Sequence, residues 1–376
     1  MNRECDFLII GAGIAGASAA YHLISRGSVI LLEREAQPAY HSTGRSAAVF
    51  AESYGPRLMR IMTAATGPFL REPPHGFTDV PTMHPRGGMF IARADQEEFL
   101  AEVVRELREL SSTLEAIDAR EALRRCPVLK PDYVAAAAYD ASVMDMDVNA
   151  IFQGYLRTAR TRGATVVTRA EGTSLDRRAG KWCANTPAGD FVSPVVVNAA
   201  GAWADAVAAL AGVRRIGLQP KRRTVIIFDA PRELEIGSWP VAADCAEQFY
   251  FKPESGRILA SPADETPVEP QDIQPDEMDI ALTVDRVQRA STLKVTHILN
   301  RWAGLRSFVA DKNPVVGFAP DAEGFFWLAG QGGYGIQTSH AMGLTAASLA
   351  AGHGLPSEIR AHGISEGQLG PARLWD

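Results

Sequence analysis

Phe7-Leu8-Ile9-Ile10-Gly11-Ala12-Gly13-Ile14-Ala15-Gly16 decides the fold. Four consecutive apolar residues suit a strand buried on both faces, as in a parallel sheet. Gly11, Gly13 and Gly16 follow in GxGxxG spacing, and a small-residue helical pattern then runs through Arg26 and stops at Gly27, a natural helix C-terminus. A second apolar run, Val29–Leu32, ends in Glu33 and Arg34. The glycines permit a tight turn, a close backbone approach to a pyrophosphate and tight helix–strand packing. The helix start at Ile14 and Ala15 offers free N–H groups and the positive end of the helix dipole to phosphate. Glu33 lies 22 residues after Gly11, where a carboxylate accepts hydrogen bonds from ribose hydroxyls and disfavours a 2′-phosphate. This unit predicts a dinucleotide site and leaves NAD and FAD open.

Two further segments bear on that choice. Tyr40-His41-Ser42-Thr43-Gly44-Arg45-Ser46-Ala47-Ala48 supplies hydroxyls, a guanidinium and backbone N–H groups suited to phosphates or a flavin edge. Near the C-terminus, the strand-like Phe325–Ala329 feeds Gly330-Gln331-Gly332-Gly333-Tyr334-Gly335-Ile336-Gln337-Thr338 and then an Ala-rich helix. Glycines there let the backbone approach a flat ligand, and the helix start would stabilise negative charge on the pyrimidine side of a reduced flavin. A third strand-to-glycine unit runs from Val195–Val197 through Asn198-Ala199-Ala200-Gly201-Ala202-Trp203.

These units frame less regular, strand-leaning sections. The expected class is α/β (α+β), with a Rossmann-like nucleotide-binding domain discontinuous in sequence (residues 1–80, 145–215 and 302–376) and a β-rich second domain (81–144 and 216–301). Residues 34–60 read as a loop, 96–125 as exposed helices, 149–163 as an amphipathic helix, 218–228 as a strand and 262–278 as a surface loop.

The chain has 376 residues, 46% hydrophobic and 22% charged, with net charge -6. That is ordinary for a globular protein and unsuited to a general nucleic-acid surface. Cys5, Cys126, Cys183 and Cys245 form no CxxC pair, and the eight histidines are scattered, so neither a disulfide framework nor a metal site is expected. No signal peptide and no apolar run of membrane-spanning length is legible; a cytoplasmic location is the expectation.

With these motifs in place, the chain resembles the family of FAD-dependent amine and amino-acid oxidoreductases that includes D-amino-acid oxidase, glycine oxidase and sarcosine oxidase. The residues that carry the resemblance are the N-terminal fingerprint, Ser42–Ser46, Val197–Trp203 and Gly330–Thr338. Within the family it is most similar to bacterial FAD-dependent D-arginine and broad D-amino-acid dehydrogenases, through Gln219–Arg223, Phe249–Pro253 and Trp302–Asp311, which includes Gly304 and Arg306. The resemblance implies non-covalent FAD, and no cysteine follows Cys245 to form a thioether. It implies oxidation of a D-amino acid to an imino acid, hydrolysed to a 2-oxo acid and ammonia. A quinone, another carrier or oxygen would take up the electrons.

An α-amino acid presents a carboxylate that a planar guanidinium binds bidentately. Arg223 alternates on one strand face with Val225 and Ile227, and Arg306 sits among Gly304, Leu305 and Phe308. A structural ion pair is the competing reading of each; Arg222 reads as solvated. The resemblance places Arg223 and Arg306 at the substrate carboxylate, with Tyr54 and Tyr250 near the substrate, one of them on a mobile lid. Tyr250, between Phe249 and Phe251, is expected to be mostly buried. Trp203 reads as packing in the nucleotide-binding domain.

Two departures from the subgroup are visible. Val49 stands where it often carries His. Gly87-Gly88 stand where an acid would precede Met89 in members that prefer cationic side chains. The expectation is therefore neutral or apolar D-amino acids. Gly333, in the C-terminal cluster, completes the expected substrate wall. No general base is legible, so the amine would bind neutral. The alternatives are a sarcosine, glycine or N-alkyl amino acid oxidase, a 2-hydroxy-acid dehydrogenase, or a flavoprotein subunit without independent turnover.

Overall fold

The computed structural model describes residues 3–108, 111 and 113–375. Its centre is a six-stranded sheet in the order Thr165–Val167, Val29–Leu32, Phe7–Ile10, Val195–Asn198, Phe325–Ala329, Val315–Phe318. The first five strands are parallel and the last is antiparallel. Phe7, Leu8, Ile9 and all of Val29–Leu32 are buried, as parallel strands covered on both faces must be.

One face packs against the helices Ile14–Leu23, Val148–Thr161 and Ser339–Ala350. The first and last of these come very close, and a Cβ on Gly343 would lie 2.7 Å from the Ser18 backbone. The other face packs against the short helix Ala204–Leu210 and the hairpin strands Ser174–Arg178 and Lys181–Thr186. The strands Phe7–Ile10, Val29–Leu32, Val195–Asn198 and Phe325–Ala329 all end at one edge, where α/β sheets bind ligands.

A second, larger sheet lies beside this unit. Its path runs Thr266–Pro267, Gln219–Asp229, Arg257–Ser261, Tyr250–Glu254, Val241–Asp244, Gly88–Ala92, Ala136–Asp140, Leu114–Asp118, with Ile298–Phe308 also paired to Gln219–Asp229. One face packs on the helices Ala119–Arg125 and Glu277–Ala290 through Met89, Ile226, Phe249, Phe251 and Val287. Alternation turns the neighbours of these residues to the opposite face. Gly88, Ala243, Tyr250, Val225, Arg223, Gly304 and Arg306 therefore share that face.

The structure corrects several expectations. Residues 34–60 hold a short strand, Val49–Phe50, and the start of the helix Arg57–Arg71. Residues 96–125 are not all helix, because Leu114–Asp118 forms the outer strand of the large sheet. Within 262–278, Asp264 and Ile273 are shielded and Thr266–Pro267 pairs at a sheet edge. The expected boundary at 301/302 falls inside the strand Ile298–Phe308, which pairs along Gln219–Asp229. We propose a division into nucleotide-binding and β-rich parts, with that whole strand assigned to the β-rich part. No helix among the described residues is long and apolar enough to cross a membrane.

Candidate active site

The nucleotide end begins at Gly11. Its φ is +101°, and a Cβ there would lie 2.5 Å from the Ala199 carbonyl oxygen. Glycine is therefore required both for the backbone turn and for the close approach. The Ile14 N–H donates to Thr43 Oγ1 at 3.0 Å, so a distant threonine caps the helix that Gly13 leaves without a side-chain cap. Glu33 is buried and accepts from the Ala12 N–H and the Glu35 N–H, each at 3.0 Å.

Glu33 and Arg34 line a chamber with Gly11, His41, Gly201 and Trp203. The Arg34 guanidinium lies 4.9 Å from the Trp203 ring centroid and the His41 ring 4.5 Å from it. Trp203 thus contributes a chamber wall as well as packing.

A second chamber continues from the first, sharing Gly13, Ser42, Thr43, Ala199, Gly201 and Ala202 as a common floor. It runs between the nucleotide-binding unit and the open face of the large sheet. Ile14, Ala15, Arg45, Ser46, Ala47, Ala48, Val49, Gly304, Gly332, Gly333, Gly335, Ile336 and Gln337 line it. So do the substrate candidates Tyr54, Gly88, Arg223, Tyr250 and Arg306.

Gly16, Gly44, Tyr334 and Thr338 stand behind the walls. Gly16 packs against the Gly11 carbonyl and Gly44 against the Ala39 carbonyl. The Thr338 hydroxyl donates to the Tyr334 carbonyl at 2.9 Å. Tyr334 packs with Tyr54, Met59 and Phe308.

This two-chambered cleft fits a dinucleotide. Gln337 accepts from the Ala51 N–H at 3.2 Å, but its Nε2, like that of Gln331, is buried without a partner among the described residues. Two orphaned donors in the chamber wall are costly unless a bound group accepts from them. Arg45 does not offer its guanidinium to phosphate. It is held by Asp272 and by the Ile273 and Ala303 carbonyls. Ser42 likewise donates to the Leu305 carbonyl at 2.7 Å.

At the substrate end, Arg306 stands across the strand pair from Lys221, and Gly304 stands across from Arg223. Three cations thus share one stretch of sheet. Lys221 pairs with Glu265 at 2.8 Å. Arg223 lies 3.5 Å from Glu265 and donates to the Asp264 carbonyl at 2.9 Å, so the ion-pair reading of Arg223 holds even though it lines the cavity.

Arg306 donates to the Tyr54 hydroxyl at 3.2 Å and has no carboxylate partner among the described residues. Burial opposes its charge, but the neighbouring Tyr54, Tyr250 and Tyr334 phenols outweigh this and its pKa is raised. Gly333 leaves room for it: a Cβ there would lie 2.6 Å from Arg306 Cζ.

Tyr250 is half-buried rather than mostly buried, because alternation sends Phe249 and Phe251 into the core and the phenol toward the cavity. Arg222 is not solvated: it pairs with Asp279 at 2.7 Å and Asp264 at 3.6 Å.

Sequence reasoning missed Lys252 and Asp140. Lys252 lines the cavity and is bridged to Asp145 and Glu254, each at 2.7 Å. Its place two residues beyond Tyr250 was the available signal. Asp140 lines the cavity in register with Gly88 on the adjoining strand, its carboxylate held by Thr113, Ser142 and Ser111. Nothing local in the sequence marks that pairing.

Comparison with known proteins gives the family. Residues 6–349 match the family DAO, FAD dependent oxidoreductase. The chain belongs to that family and is an FAD-dependent oxidoreductase. It is 26% identical to the hydrogen cyanide synthase subunit HcnC of Pseudomonas aeruginosa, over 96% of this chain and 95% of that protein. Glycine oxidase from Geobacillus kaustophilus superposes with a TM-score of 0.82 at 21% identity, covering 93% of this chain and 95% of that one. L-alpha-glycerophosphate oxidase from Mycoplasma pneumoniae, solved with FAD bound, superposes with a TM-score of 0.83 at 17% identity, covering 93% and 95%. These likenesses of low identity show the fold.

Proposed function

We propose that the protein oxidises the amine-bearing carbon of a D-amino acid. The observation that carries the reading is Arg306, a guanidinium in the cavity wall with a phenol beside it and no carboxylate bridged to it among the described residues. Arg306 is half-buried, and a partly desolvated cation without a counter-charge is costly, a cost that a bound carboxylate offsets. The bidentate geometry of a guanidinium also fixes the direction of the adjoining carbon. The D configuration rests on the resemblance of Gln219–Arg223, Phe249–Pro253 and Trp302–Asp311 to D-amino-acid dehydrogenases.

Arg306 would hold the carboxylate, with Arg223 adding positive potential while retaining Glu265. Tyr54 would orient Arg306, and Tyr250 would pack on the substrate from the large sheet. The backbone of Gly332 and Gly333 would let the reacting carbon approach the flavin. FAD, when bound, supplies the acceptor for the hydride leaving that carbon. The nitrogen loses a proton to solvent as the imine forms, and water then releases a 2-oxo acid and ammonia. Among the described residues no carboxylate or imidazole bonds to Arg306 or Tyr54, and the substrate would enter with a neutral amine.

The test is product analysis with separate enantiomers, sarcosine and 2-hydroxy acids. The reading expects 2-oxo acid and ammonia in equal amounts from D-amino acids. Turnover confined to sarcosine or hydroxy acids would overturn it.

A further inference from the structure

We infer that Glu265 is an internal counter-ion for Arg223, which competes with the substrate carboxylate for that guanidinium and so limits how tightly the cavity grips substrate and product. This rests on the reading of Arg306 and Arg223 as the carboxylate side of the cavity.

Lys221, Arg223 and Arg306 share one face of the strand pair Gln219–Asp229 and Ile298–Phe308. Among the described residues a single carboxylate, Glu265, is bridged to members of this trio. Its Oε2 accepts from Lys221 Nζ at 2.8 Å, and its Oε1 lies 3.5 Å from Arg223 Nη2. The short contact anchors Glu265, and the long one only leans it on Arg223. Arg223 Nε donates to the Asp264 carbonyl at 2.9 Å, and its Nη1 has no partner among the described residues. Arg223 is almost fully buried and lines the chamber, whereas Glu265 is partly exposed and does not line it.

The neighbouring Asp264 adds no second charge to Arg223. Its carboxylate accepts from the Thr224 N–H at 2.6 Å and from Thr224 Oγ1 at 3.0 Å, and lies 3.6 Å from Arg222. Alternation along the strand puts Arg222 and Thr224 on opposite faces from each other, and Arg223 between them. The loop turns at Ala263, whose φ of +54° is left-handed and costly for any residue but glycine. It is therefore a set turn that brings Glu265 to Arg223. Burial opposes the Glu265 charge, but Lys221, with Arg223 and Lys312, outweighs this and holds its carboxyl below the ordinary value. Glu265 is thus ionised.

Two wholly free guanidiniums in one wall would grip a carboxylate from both sides. The carboxylate is the same in the amino acid, the imino acid and the 2-oxo acid. Such a grip would be uniform along the reaction: it would lower KM without raising kcat, and it would retain the product. Glu265 takes up part of the Arg223 charge and leaves Arg306 as the main anchor.

The test titrates propanoate, which has a carboxylate and no amine to oxidise, into the FAD-loaded protein and follows the flavin absorbance. Glu265→Gln keeps the shape of the side chain and removes its charge; Glu265→Ala is a second variant with the same expectation. The expected result is that propanoate binds at least about fivefold tighter to these variants than to the parent protein. When Arg223→Met is present in both members of the comparison, the gain should fall below about twofold. In turnover KM should fall in step with the propanoate affinity while kcat does not rise. Unchanged or weaker propanoate binding by both variants, or a raised KM, assigns Glu265 to loop support and overturns the inference while keeping the carboxylate site. A gain that persists with Arg223→Met places the effect in the general field of the cavity and also overturns it. Binding of propanoate by none of these proteins overturns the carboxylate reading itself and, with it, this one.

Discussion

Arg306 Nη1 lies 3.2 Å from the Tyr54 hydroxyl, and this contact joins the large sheet to the segment between Val49–Phe50 and the helix Arg57–Arg71. The guanidinium is thereby fixed in direction without being neutralised. Replacing Arg306 by Ala is expected to raise KM for an amino acid roughly 100-fold, the equivalent of about 3 kcal/mol for a charge-assisted pair, with FAD retained. Tyr54→Phe removes only the orienting phenol and should cost about tenfold or less. Steady-state kinetics with flavin occupancy checked by absorbance measures both.

Gly333→Ala tests the packing behind the anchor. The added Cβ would lie 2.6 Å from Arg306 Cζ, so the guanidinium must move. Displacements of about 1 Å at a reacting centre cost up to ~100-fold. The expectation is a loss of at least about tenfold in kcat/KM, with thermal stability close to that of the parent protein.

The rate should respond to the substrate's own proton. Because no carboxylate or imidazole bonds to Arg306 among the described residues, kcat/KM is expected to rise with pH and level off once the amine is neutral, without a falling limb from a catalytic acid. A profile measured between pH 6 and pH 10 checks this. Tyr54→Phe should leave its shape unchanged.

Stability should fall on the acid side for a separate reason. His22 and His340 pack edge to face at 4.9 Å, and His22 Nε2 and His340 Nδ1 are buried without partners among the described residues. Burial, and for His22 the neighbouring His340, Arg26 and Arg162 charges, lowers His22 to about 3. Burial lowers His340 to about 4. In the unfolded chain each ring takes up a proton near pH 6.5. Below that pH the unfolded state binds more protons, so stability present above pH 6.5 is lost as pH falls toward 4. At pH 5 the loss is roughly 1–2 kcal/mol per ring. Urea midpoints at pH 7.5 and 5 should converge in His22→Phe relative to the parent protein.

The nucleotide end was legible because it is local. Phe7–Ile10, the three glycines and Glu33 fall within one strand–helix–strand unit, and each residue's task follows from backbone geometry. The roles of individual arginines were less legible. Arg45 and Arg222 read as free cations, but their partners Asp272 and Asp279 lie far along the chain. Whether a guanidinium is free depends on which acids the tertiary fold brings near.

The same reason hid Asp140. The chain returns to Gly88 as the antiparallel strand Ala136–Asp140 only after the helices Glu97–Leu107 and Ala119–Arg125 and the strand Leu114–Asp118, and no spacing rule relates positions 88 and 140. Tyr250 illustrates the converse. The alternation that buries Phe249 and Phe251 was present in the sequence, and it sends the tyrosine to the cavity.

The most direct test of the central claim is an anaerobic titration of the FAD-loaded protein with paired D- and L-amino acids, followed at the flavin absorbance. The account predicts bleaching by the D-enantiomer, none by the L-enantiomer, and none by either in Arg306→Ala at the same concentration. Bleaching by the L-enantiomer, or unaltered bleaching in Arg306→Ala, would contradict it.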